Sequence, residues 1–356
     1  MLSTPESASI GAVACCTILT APKEQNTKFR FLALIAVLLV ACQTVTYQDP
    51  IRTKEQILGN AANLEADIVG EMKKYDVKAV SIAVVTDNQV EYVHAFGAQT
   101  DEPFQAASIS KTLSAYAALR LVEQGKLELE TPLSGYLQGR YFSDGSDGNA
   151  ITLRMVLNHT SGLSNDVTGK DRKLYYKMGE AFHYSGAGFA YLTKVIESVT
   201  GSPFDEYMEQ SLLLPLGMTH SKFSISHSNG TKTVSAAYSL VTTPSDVAQF
   251  FIELLNPGMV SGSLVEQMLS DSVKINEHYS WGLGVGIQHG NDDTAIWHWG
   301  NNDNYYKSLA VFFLKSGTGV VIMTKGKDGD KIYQDIAHDA IGGSYYGLER
   351  SVLSKR

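Results

Sequence analysis

The spacing of hydrophobic residues changes twice in the first part of the chain, and each change predicts an element. Between residues 54 and 74 the apolar positions recur at the spacing of one helical face, which predicts a helix. Residues 79–85 are β-branched and apolar, Asp87 and Asn88 have turn chemistry, and residues 90–96 resume an extended pattern. These two runs predict a hairpin at the edge of a sheet.

The middle of the chain has the hydrophobic pattern of helices. Residues 108–124 carry apolar positions at helical spacing and are followed by Gly125, which suits a helix C-terminus. Further helices are predicted after the N-cap candidate Thr152, over residues 187–199 before Gly201, from Pro203 onward, and over residues 244–255 behind Thr243. We therefore expect a mostly helical middle.

From residue 281 the pattern returns to strands. Strands are predicted over residues 281–288, 294–299, 309–314 and 320–324, and a closing helix over residues 331–341. Because strands come from both ends of the chain, the simplest architecture is an α/β fold whose first and last segments pair in one sheet, with a helical part between them. We expect the sheet part to comprise residues 43–107 and 275–356, the helical part residues 108–274, and the active site to lie at their seam.

The first 42 residues differ from the rest and contain all three cysteines, Cys15, Cys16 and Cys42. Residues 31–41 form an uninterrupted apolar run behind several basic residues, too short to span a bilayer but typical of a secretory signal. The run ends in Leu-Val-Ala-Cys, which resembles a bacterial lipoprotein cleavage box. We expect residues 1–42 to hold a signal peptide that is cut before Cys42, with lipid attached to Cys42; an uncut apolar anchor is the alternative.

Lipidation at Cys42 would anchor the protein to a membrane and place the globular part outside the cytoplasm, in the cell envelope. Gln43 stands where an aspartate is associated with retention at the inner membrane, so the resemblance favours the outer membrane in an organism with two membranes. The formal net charge is −8, and no dense Lys/Arg cluster occurs. We therefore expect no nucleic-acid partner.

Ser108-Ile109-Ser110-Lys111 is the only S-x-x-K sequence in the chain, and it falls at the start of a predicted helix. Side chains at i and i+3 share a helical face, so the Lys111 amine can reach the Ser108 hydroxyl. A serine becomes a good nucleophile when a base takes its proton, and a lysine can do so if burial lowers its pKa. The motif alone also fits a helix cap with a surface lysine, so it needs partners elsewhere in the chain.

Four later segments supply those partners, and together with S-x-x-K they follow the order of one enzyme family. They are Leu157-Asn158-His159-Thr160-Ser161-Gly162-Leu163, Tyr184-Ser185-Gly186, Leu214-Pro215-Leu216-Gly217-Met218 and His298-Trp299-Gly300. With them, the chain from residue 57 to residue 341 resembles the serine β-lactamase and penicillin-binding-protein family, in particular class C β-lactamases and related esterases. The resemblance implies a β-lactamase/transpeptidase-like fold of α+β type, with flanking helices on an antiparallel sheet built from both chain ends.

The resemblance also implies roles for individual residues. Ser108 would attack the acyl carbonyl, Lys111 and Tyr184 would share the proton transfers, and the backbone N–H groups of Ser108 and Asn301 would form the oxyanion hole. His298 would orient Tyr184, contact the substrate or be a core histidine.

Five further residues around the site receive assignments. Gly300 is placed with the oxyanion hole and substrate-binding residues. We expect His159 to be structural, and Trp281 and Trp297 to be core residues. Trp299 is the candidate for a pocket wall.

Two departures from the family pattern shape the expected substrate. Gly186 replaces the asparagine of the class C Y-x-N motif, and His298 and Trp299 replace the lysine and threonine of K-T-G. Contacts to the amide and carboxylate of a β-lactam are therefore missing or weakened, and we expect small esters or peptides as substrates. A penicillin-binding protein or weak β-lactamase remains an alternative, as does a non-catalytic lipoprotein that binds cell-wall peptides or antibiotics. No metal or organic cofactor is implied.

Overall fold

The computed structural model describes residues 47–270, 272–290, 293–302 and 304–345. Residues Thr44–Arg356 cluster as one compact unit. The predicted signal peptide, its cleavage site and the lipidation of Cys42 lie outside the described residues. Within the described ranges, no helix is long and apolar enough to cross a membrane.

Strands and helices alternate in blocks along the chain. The strands are β1 (Tyr47–Ile51), β2 (Ala79–Thr86), β3 (Gln89–Phe96), β4 (Phe104–Gln105), β5 (Ile225–Ser226), β6 (Lys232–Thr233), β7 (Val241–Thr242), β8 (Val273–Lys274), β9 (Tyr279–Trp281), β10 (Gly286–His289), β11 (Thr294–Asn302), β12 (Tyr306–Phe313), β13 (Gly319–Lys325) and β14 (Gly342–Tyr345). The α-helices are α1 (Lys54–Gly59), α2 (Ala61–Lys74), α3 (Ile109–Glu123), α4 (Leu153–Leu157), α5 (Gly186–Thr200), α6 (Phe204–Met208), α7 (Pro244–Leu255), α8 (Gly262–Met268) and α9 (Tyr333–Ile341).

The largest sheet has eight strands in the order β3-β2-β13-β12-β11-β10-β9-β8, and all neighbours are antiparallel. The two ends of the chain meet where β2 pairs with β13, in a register that runs from Ala79 opposite Lys325 to Val85 opposite Gly319. β3 is an edge strand, as the hairpin pattern predicts. The prediction of an antiparallel sheet assembled from both chain ends is confirmed.

Hydrophobic cores lie on both faces of this sheet. On β2, Ala83 and Val85 belong to one core cluster, whereas Ile82 and Val84 belong to the other, because successive side chains of a strand point to opposite faces. α3 and α7 cover the first face, and α2 and α9 cover the second. A strand buried on both sides has no solvent-facing side, so β2 is buried along its whole length and only Ser81 and Thr86 interrupt its apolar sequence.

Helices α3 to α8 all fall between residues 108 and 274, the range predicted to be mostly helical. The cap signals are used as expected: Thr152 and Thr243 accept hydrogen bonds from the N–H groups of Met155 and Asp246, and Gly201 adopts a left-handed conformation after α5. The division of the chain at residues 107/108 and 274/275 stays a prediction.

The single strand predicted over residues 281–288 is wrong, because this run folds into β9, a tight turn and β10. Gly282 N–H donates to Val285 O at 2.9 Å to close the turn. Gly284 has a φ of +87°, and a Cβ there would lie 2.3 Å from Ala115 Cβ on α3. Apolar residues are buried in this turn as well as in the two strands. The hydrophobic pattern of residues 281–288 therefore continues through the turn and does not reveal it.

The single helix predicted over residues 54–74 is also interrupted. Asn60, with φ −94° and ψ −1°, ends α1 and begins α2. The pairing of β1 with β14 and the short helix α8 have no counterpart among the predicted elements.

Candidate active site

Ser108 stands directly before α3 and is half-buried. The residue in front of it, Ala107, has a φ of +49°, a left-handed conformation that costs a non-glycine residue about 1 kcal/mol or more. Ser110 holds this bend in place, because its Oγ donates to Ala107 O at 2.5 Å and accepts from Leu240 N–H at 3.0 Å. The Ser108 hydroxyl is therefore presented at a rigid helix N-terminus.

Lys111 lies one turn into α3, and its side chain is fully buried. Its Nζ is 3.0 Å from Ser108 Oγ and 2.8 Å from Ala237 O. Burial lowers the pKa of the amine from 10.5 to about 7. At neutral pH a large fraction of Lys111 is therefore the neutral amine, which can accept a proton.

The segment before β7 supplies carbonyl groups that hold the site together, and the sequence analysis did not predict it. Ala237 O accepts from Lys111, and the neighbouring Ala236 O accepts from Ser114 Oγ at 3.1 Å. Tyr238 O accepts from Asn302 Nδ2 at 3.2 Å. Backbone carbonyls make all three contacts, so no side-chain pattern signals them.

Tyr184 lies two residues before α5, with its ring centroid 5.1 Å from Lys111 Nζ. Its hydroxyl is shielded from solvent and has no hydrogen-bond partner within the described ranges. Burial raises the pKa of the phenol, although the nearby Ser108 hydroxyl slightly opposes this effect. Tyr184 therefore remains protonated near neutral pH.

His159 supports the segment that carries Tyr184. The N–H of Ser185 donates to His159 Nδ1 at 3.0 Å, which places the imidazole proton on Nε2. The ring centroids of His159 and Tyr184 are 4.3 Å apart. These contacts give His159 a structural position of the kind that its motif predicts.

His298 is fully buried on β11, and its ring centroid lies 6.2 Å from that of Tyr184. Its Nδ1 is 2.7 Å from Trp299 O, and because a carbonyl can only accept, Nδ1 carries the proton. Its Nε2 has no partner among the described residues, and burial lowers the pKa of His298 to about 3. His298 is thus a neutral imidazole with a free lone pair.

Lys111 also affects the pKa values of the two neighbouring histidines. The positive charge of Lys111 helps to lower the pKa of His159 and of His298, after the larger effect of burial. In the described part of the chain, no group of three or more His, Cys, Asp or Glu side chains could hold a metal ion.

Gly300 lets β11 approach the residues directly in front of Ser108. A Cβ at position 300 would lie 2.2 Å from Ala106 O and 2.8 Å from Ala107 Cβ. Ser308 on β12 donates from Oγ to the same Ala106 O at 2.8 Å. Any side chain at position 300 would push the strand away from the start of α3.

Among the described residues, no strand covers one edge of the end of β11. β10 pairs with β11 over residues 294–297, whereas β12 pairs with it over residues 295–302. Leu314 N–H donates to Thr294 O on the β12 side. Since backbone groups alternate in direction along a strand, the N–H and C=O groups of residues 299 and 301 point to the open edge.

Two backbone donors are therefore available near the Ser108 hydroxyl. Asn301 N–H points to the open edge of β11, and Ser108 N–H makes no hydrogen bond within the described ranges. Two N–H groups that point at one position stabilise an oxyanion there. The structure thus brings together Ser108, Lys111, Tyr184, His298 and the residue 300–301 segment.

The Beta-lactamase family model matches residues 64–341. The chain belongs to the beta-lactamase family. This family comprises β-lactamase and penicillin-binding-protein-like serine hydrolases and acyl transferases, which act on peptide or β-lactam-type substrates.

Known relatives of this beta-lactamase family chain are distant. Protein flp of Staphylococcus aureus (strain MRSA252) is 24% identical over 310 residues, which are 73% of this chain and 62% of that protein. The chain thus spans less than two thirds of that curated relative.

Solved structures show the same fold at low identity. D-alanine carboxypeptidase AmpC from Burkholderia cenocepacia has a TM-score of 0.65 at 20% identity, over 79% of this chain and 99% of the other. The D-stereospecific amidohydrolase from Streptomyces sp. has a TM-score of 0.63 at 19% identity, over 83% and 97%. The β-lactamase/transpeptidase-like fold is confirmed.

Gly186 departs from the class C pattern of the beta-lactamase family, and a loop fills the place of the missing side chain. A Cβ at Gly186 would lie 2.6 Å from Val167 Cγ1 and 3.0 Å from Val167 N. Ser164, on the same loop, accepts from Ser185 Oγ at 2.9 Å through its carbonyl. The loop packs against the start of α5, so an asparagine at position 186 has no room.

The three tryptophans of this beta-lactamase family chain lie in the core behind Tyr184. Trp281 and Trp297 are fully buried, which agrees with the core assignment. Trp299 is 4% exposed, and its ring centroid lies 5.3 Å from that of Tyr184. Trp299 therefore supports Tyr184 and leaves little side-chain surface to line an acyl pocket.

Proposed function

We propose that this chain is a serine hydrolase that cleaves small esters or peptides through an acyl-enzyme on Ser108. The observation that carries the proposal is the position of the Lys111 amine, fully buried with a pKa of about 7 and 3.0 Å from Ser108 Oγ. A base whose pKa lies near the working pH transfers protons most efficiently.

Acylation begins with neutral Lys111. The Ala237 carbonyl can only accept, so it takes one N–H of the amine and leaves the lone pair for the Ser108 hydroxyl proton. As Ser108 Oγ bonds to the acyl carbon, its proton moves to Lys111 Nζ and the carbonyl electrons move to oxygen. The N–H groups of Ser108 and Asn301 stabilise this oxyanion by a few kcal/mol.

Tyr184 serves the leaving group. Its phenol stays protonated because burial raises its pKa, so it donates a proton rather than removing one from Ser108. When the bond to the leaving group breaks, Tyr184 O–H protonates the departing oxygen or nitrogen, and the Lys111 ammonium returns a proton to Tyr184.

Deacylation reverses these transfers. Water attacks the acyl-enzyme, its proton moves to Lys111, and the same proton then returns to Ser108 Oγ as the acid is released. The neutral His298 keeps its Nε2 lone pair throughout, because its pKa of about 3 lies far below the working range. That lone pair can orient the Tyr184 hydroxyl or accept a hydrogen bond from the substrate.

The expected preference for esters or peptides follows from what the site lacks. Val167 occupies the space at Gly186, so no asparagine at this position can recognise the amide of a β-lactam. The buried neutral His298 offers no charge to a carboxylate. Slow β-lactam acylation, as in a penicillin-binding protein or a weak β-lactamase, is the second candidate, because the nucleophile and its base would serve it equally.

We also propose that the enzyme works in the cell envelope, held by lipid on Cys42, with the outer membrane as its place in an organism with two membranes. The support is the apolar run of residues 31–41 and the Leu-Val-Ala-Cys ending.

Covalent labelling tests the enzymatic proposal. The chain and its Ser108→Ala variant are incubated with a fluorophosphonate and, separately, with benzylpenicillin, and their intact masses are measured. We expect a phosphonyl adduct that depends on Ser108 and no lasting penicilloyl adduct. A lasting penicilloyl adduct would favour a penicillin-binding protein, and the absence of both adducts would favour the non-catalytic binder.

A further inference from the structure

We infer that the chain carries a second binding site, for a small organic carboxylate, in a cavity behind the loop of residues 164–172. The cavity has a volume of about 360 Å³ and lies between this loop, the segment before residue 142 and one face of α5. Three of its lining residues, Arg140, Arg172 and Lys194, are cationic, and none of the lining residues is acidic. Two acidic residues of the same loop, Asp166 and Asp171, lie outside the lining and accept hydrogen bonds from neighbouring backbone and side-chain groups.

Arg172 is exposed, and two hydrogen bonds and one ring contact hold its side chain. Its Nη1 donates to Tyr141 O at 2.7 Å and its Nε donates to Gly169 O at 3.4 Å. Its guanidinium carbon lies 4.1 Å from the centre of the Tyr141 ring. Within the described ranges, both of these hydrogen bonds go to backbone carbonyls, and no carboxylate forms a salt bridge with Arg172. A guanidinium fixed in this way can bind carboxylate oxygens at a small entropic cost.

Tyr141 supports the Arg172 side chain at the wall of this cavity. Its ring stacks on Tyr191 at 4.3 Å between centroids. Gly169 brings the loop close to α5. It has a φ of +67°, and a Cβ at this position would lie too close to Ala190 Cβ, at 2.9 Å. The wall is therefore well packed, and Leu137 and Ala190 in the lining supply apolar surface for the body of a small carboxylate.

The other two cations lie at the rim. Arg140 pairs with Asp144 at 2.6 Å and Lys194 pairs with Glu197 at 2.7 Å, and both cationic side chains are more than half exposed. Exposed ion pairs are worth about 1 kcal/mol or less, so an incoming carboxylate can compete for these groups.

Benzoate and benzamide test the site, because they share a flat ring and differ in charge. Each is titrated by calorimetry into the full chain, into Arg172→Gln and into a control, Arg154→Gln. Arg154 is also a surface arginine, paired with Glu130 away from the cavity. Neither variant touches Ser108, and the inference does not rest on the proposed hydrolase activity.

We expect benzoate, and not benzamide, to bind the unmodified chain and Arg154→Gln, and to bind Arg172→Gln about tenfold more weakly. Retained circular dichroism of Arg172→Gln would show that the loss is local. Equal binding of benzamide, equal losses in both variants, or no benzoate binding up to about 50 mM would overturn the inference.

Discussion

His159 Nδ1 accepts a hydrogen bond from the backbone N–H of Ser185, the residue that follows Tyr184. His159 has a φ of +59° and is fully buried, so it can hold the peptide next to Tyr184 in one position. A histidine outside the group of proposed proton-transfer residues therefore anchors the backbone beside Tyr184.

We predict that His159→Ala slows fluorophosphonate labelling of Ser108 by at least about tenfold, because Ser185 N–H loses its acceptor and is left buried. His159→Asn should recover most of the rate, since asparagine supplies an acceptor and tolerates the left-handed conformation. Equal rates for the two variants would show that the acceptor is unimportant.

The pKa of Lys111 predicts the pH dependence of acylation. The rate of Ser108 labelling should rise with pH through about 7, where the amine loses its proton, and then level off. The pKa of His298 is about 3 and that of His159 lies well below 6.5, so neither histidine supplies this rise. Labelling rates measured from about pH 5.5 to 9.5 test this, and a flat profile would contradict the assignment of Lys111 as the base.

Burying Lys111 should cost stability. Its pKa is about 7 in the folded chain against 10.5 in the unfolded chain, so the unfolded state binds more protons between these values. The loss of folding stability caused by burying Lys111 is therefore largest below pH 7 and disappears as the pH approaches 10.5. We expect Lys111→Met to raise the free energy of unfolding by about 2–4 kcal/mol at pH 7, after the loss of two hydrogen bonds.

Urea unfolding of both proteins at several pH values measures this difference. The difference in free energy of unfolding between Lys111→Met and the parent should decrease by up to about 1.4 kcal/mol for each pH unit above 7. A Lys111→Met protein that is less stable than the parent at pH 7 would show that burial of the amine is not costly.

Restoring the family asparagine at position 186 should damage the fold instead of creating a β-lactamase. Gly186→Asn forces a side chain against the Val167 backbone, at a cost of about 1–3 kcal/mol. Gly70→Asn on α2 is the control, because nothing lies within 4 Å of a Cβ there. We expect thermal unfolding to detect the loss only in Gly186→Asn and nitrocefin turnover to remain slow. Rapid turnover would contradict our account of substrate choice.

The proposed lipid anchor makes a separate prediction. In a bacterial host, Cys42→Ala should move the protein from the membrane fraction to the soluble fraction and remove labelling by a fatty-acid analogue. Cys15→Ala is the matched control and should change neither property. Membrane retention of Cys42→Ala without fatty-acid labelling would favour an uncut apolar anchor.

The sequence located most of the elements that carry the site, because their hydrophobic patterns are long and end at clear signals. α7 has the bounds predicted for it, and α5 extends one residue beyond its prediction at each end. The S-x-x-K spacing also predicted the contact between Lys111 and Ser108, since i and i+3 positions on a helix share a face.

Contacts made by the backbone, or by the absence of a side chain, escaped prediction. The Ala237 carbonyl reaches Lys111 from 126 residues away, and any residue type could supply it. Val167 blocks position 186 from a loop with no distinctive pattern. Such contacts depend on tertiary packing, which spacing along a single chain does not encode.

The active site joins residues from distant parts of the chain, because the sheet is built from both chain ends, and this affects when activity can appear. Ser108 is in the first third of the chain, yet the proposed oxyanion donor at Asn301 is on a strand near its other end. Contacts between residues so distant in sequence form slowly, because a long loop must close first. A ribosome-bound or truncated chain that lacks the last strands should therefore carry the nucleophile without being a hydrolase, which would protect the cell's own esters until folding is complete.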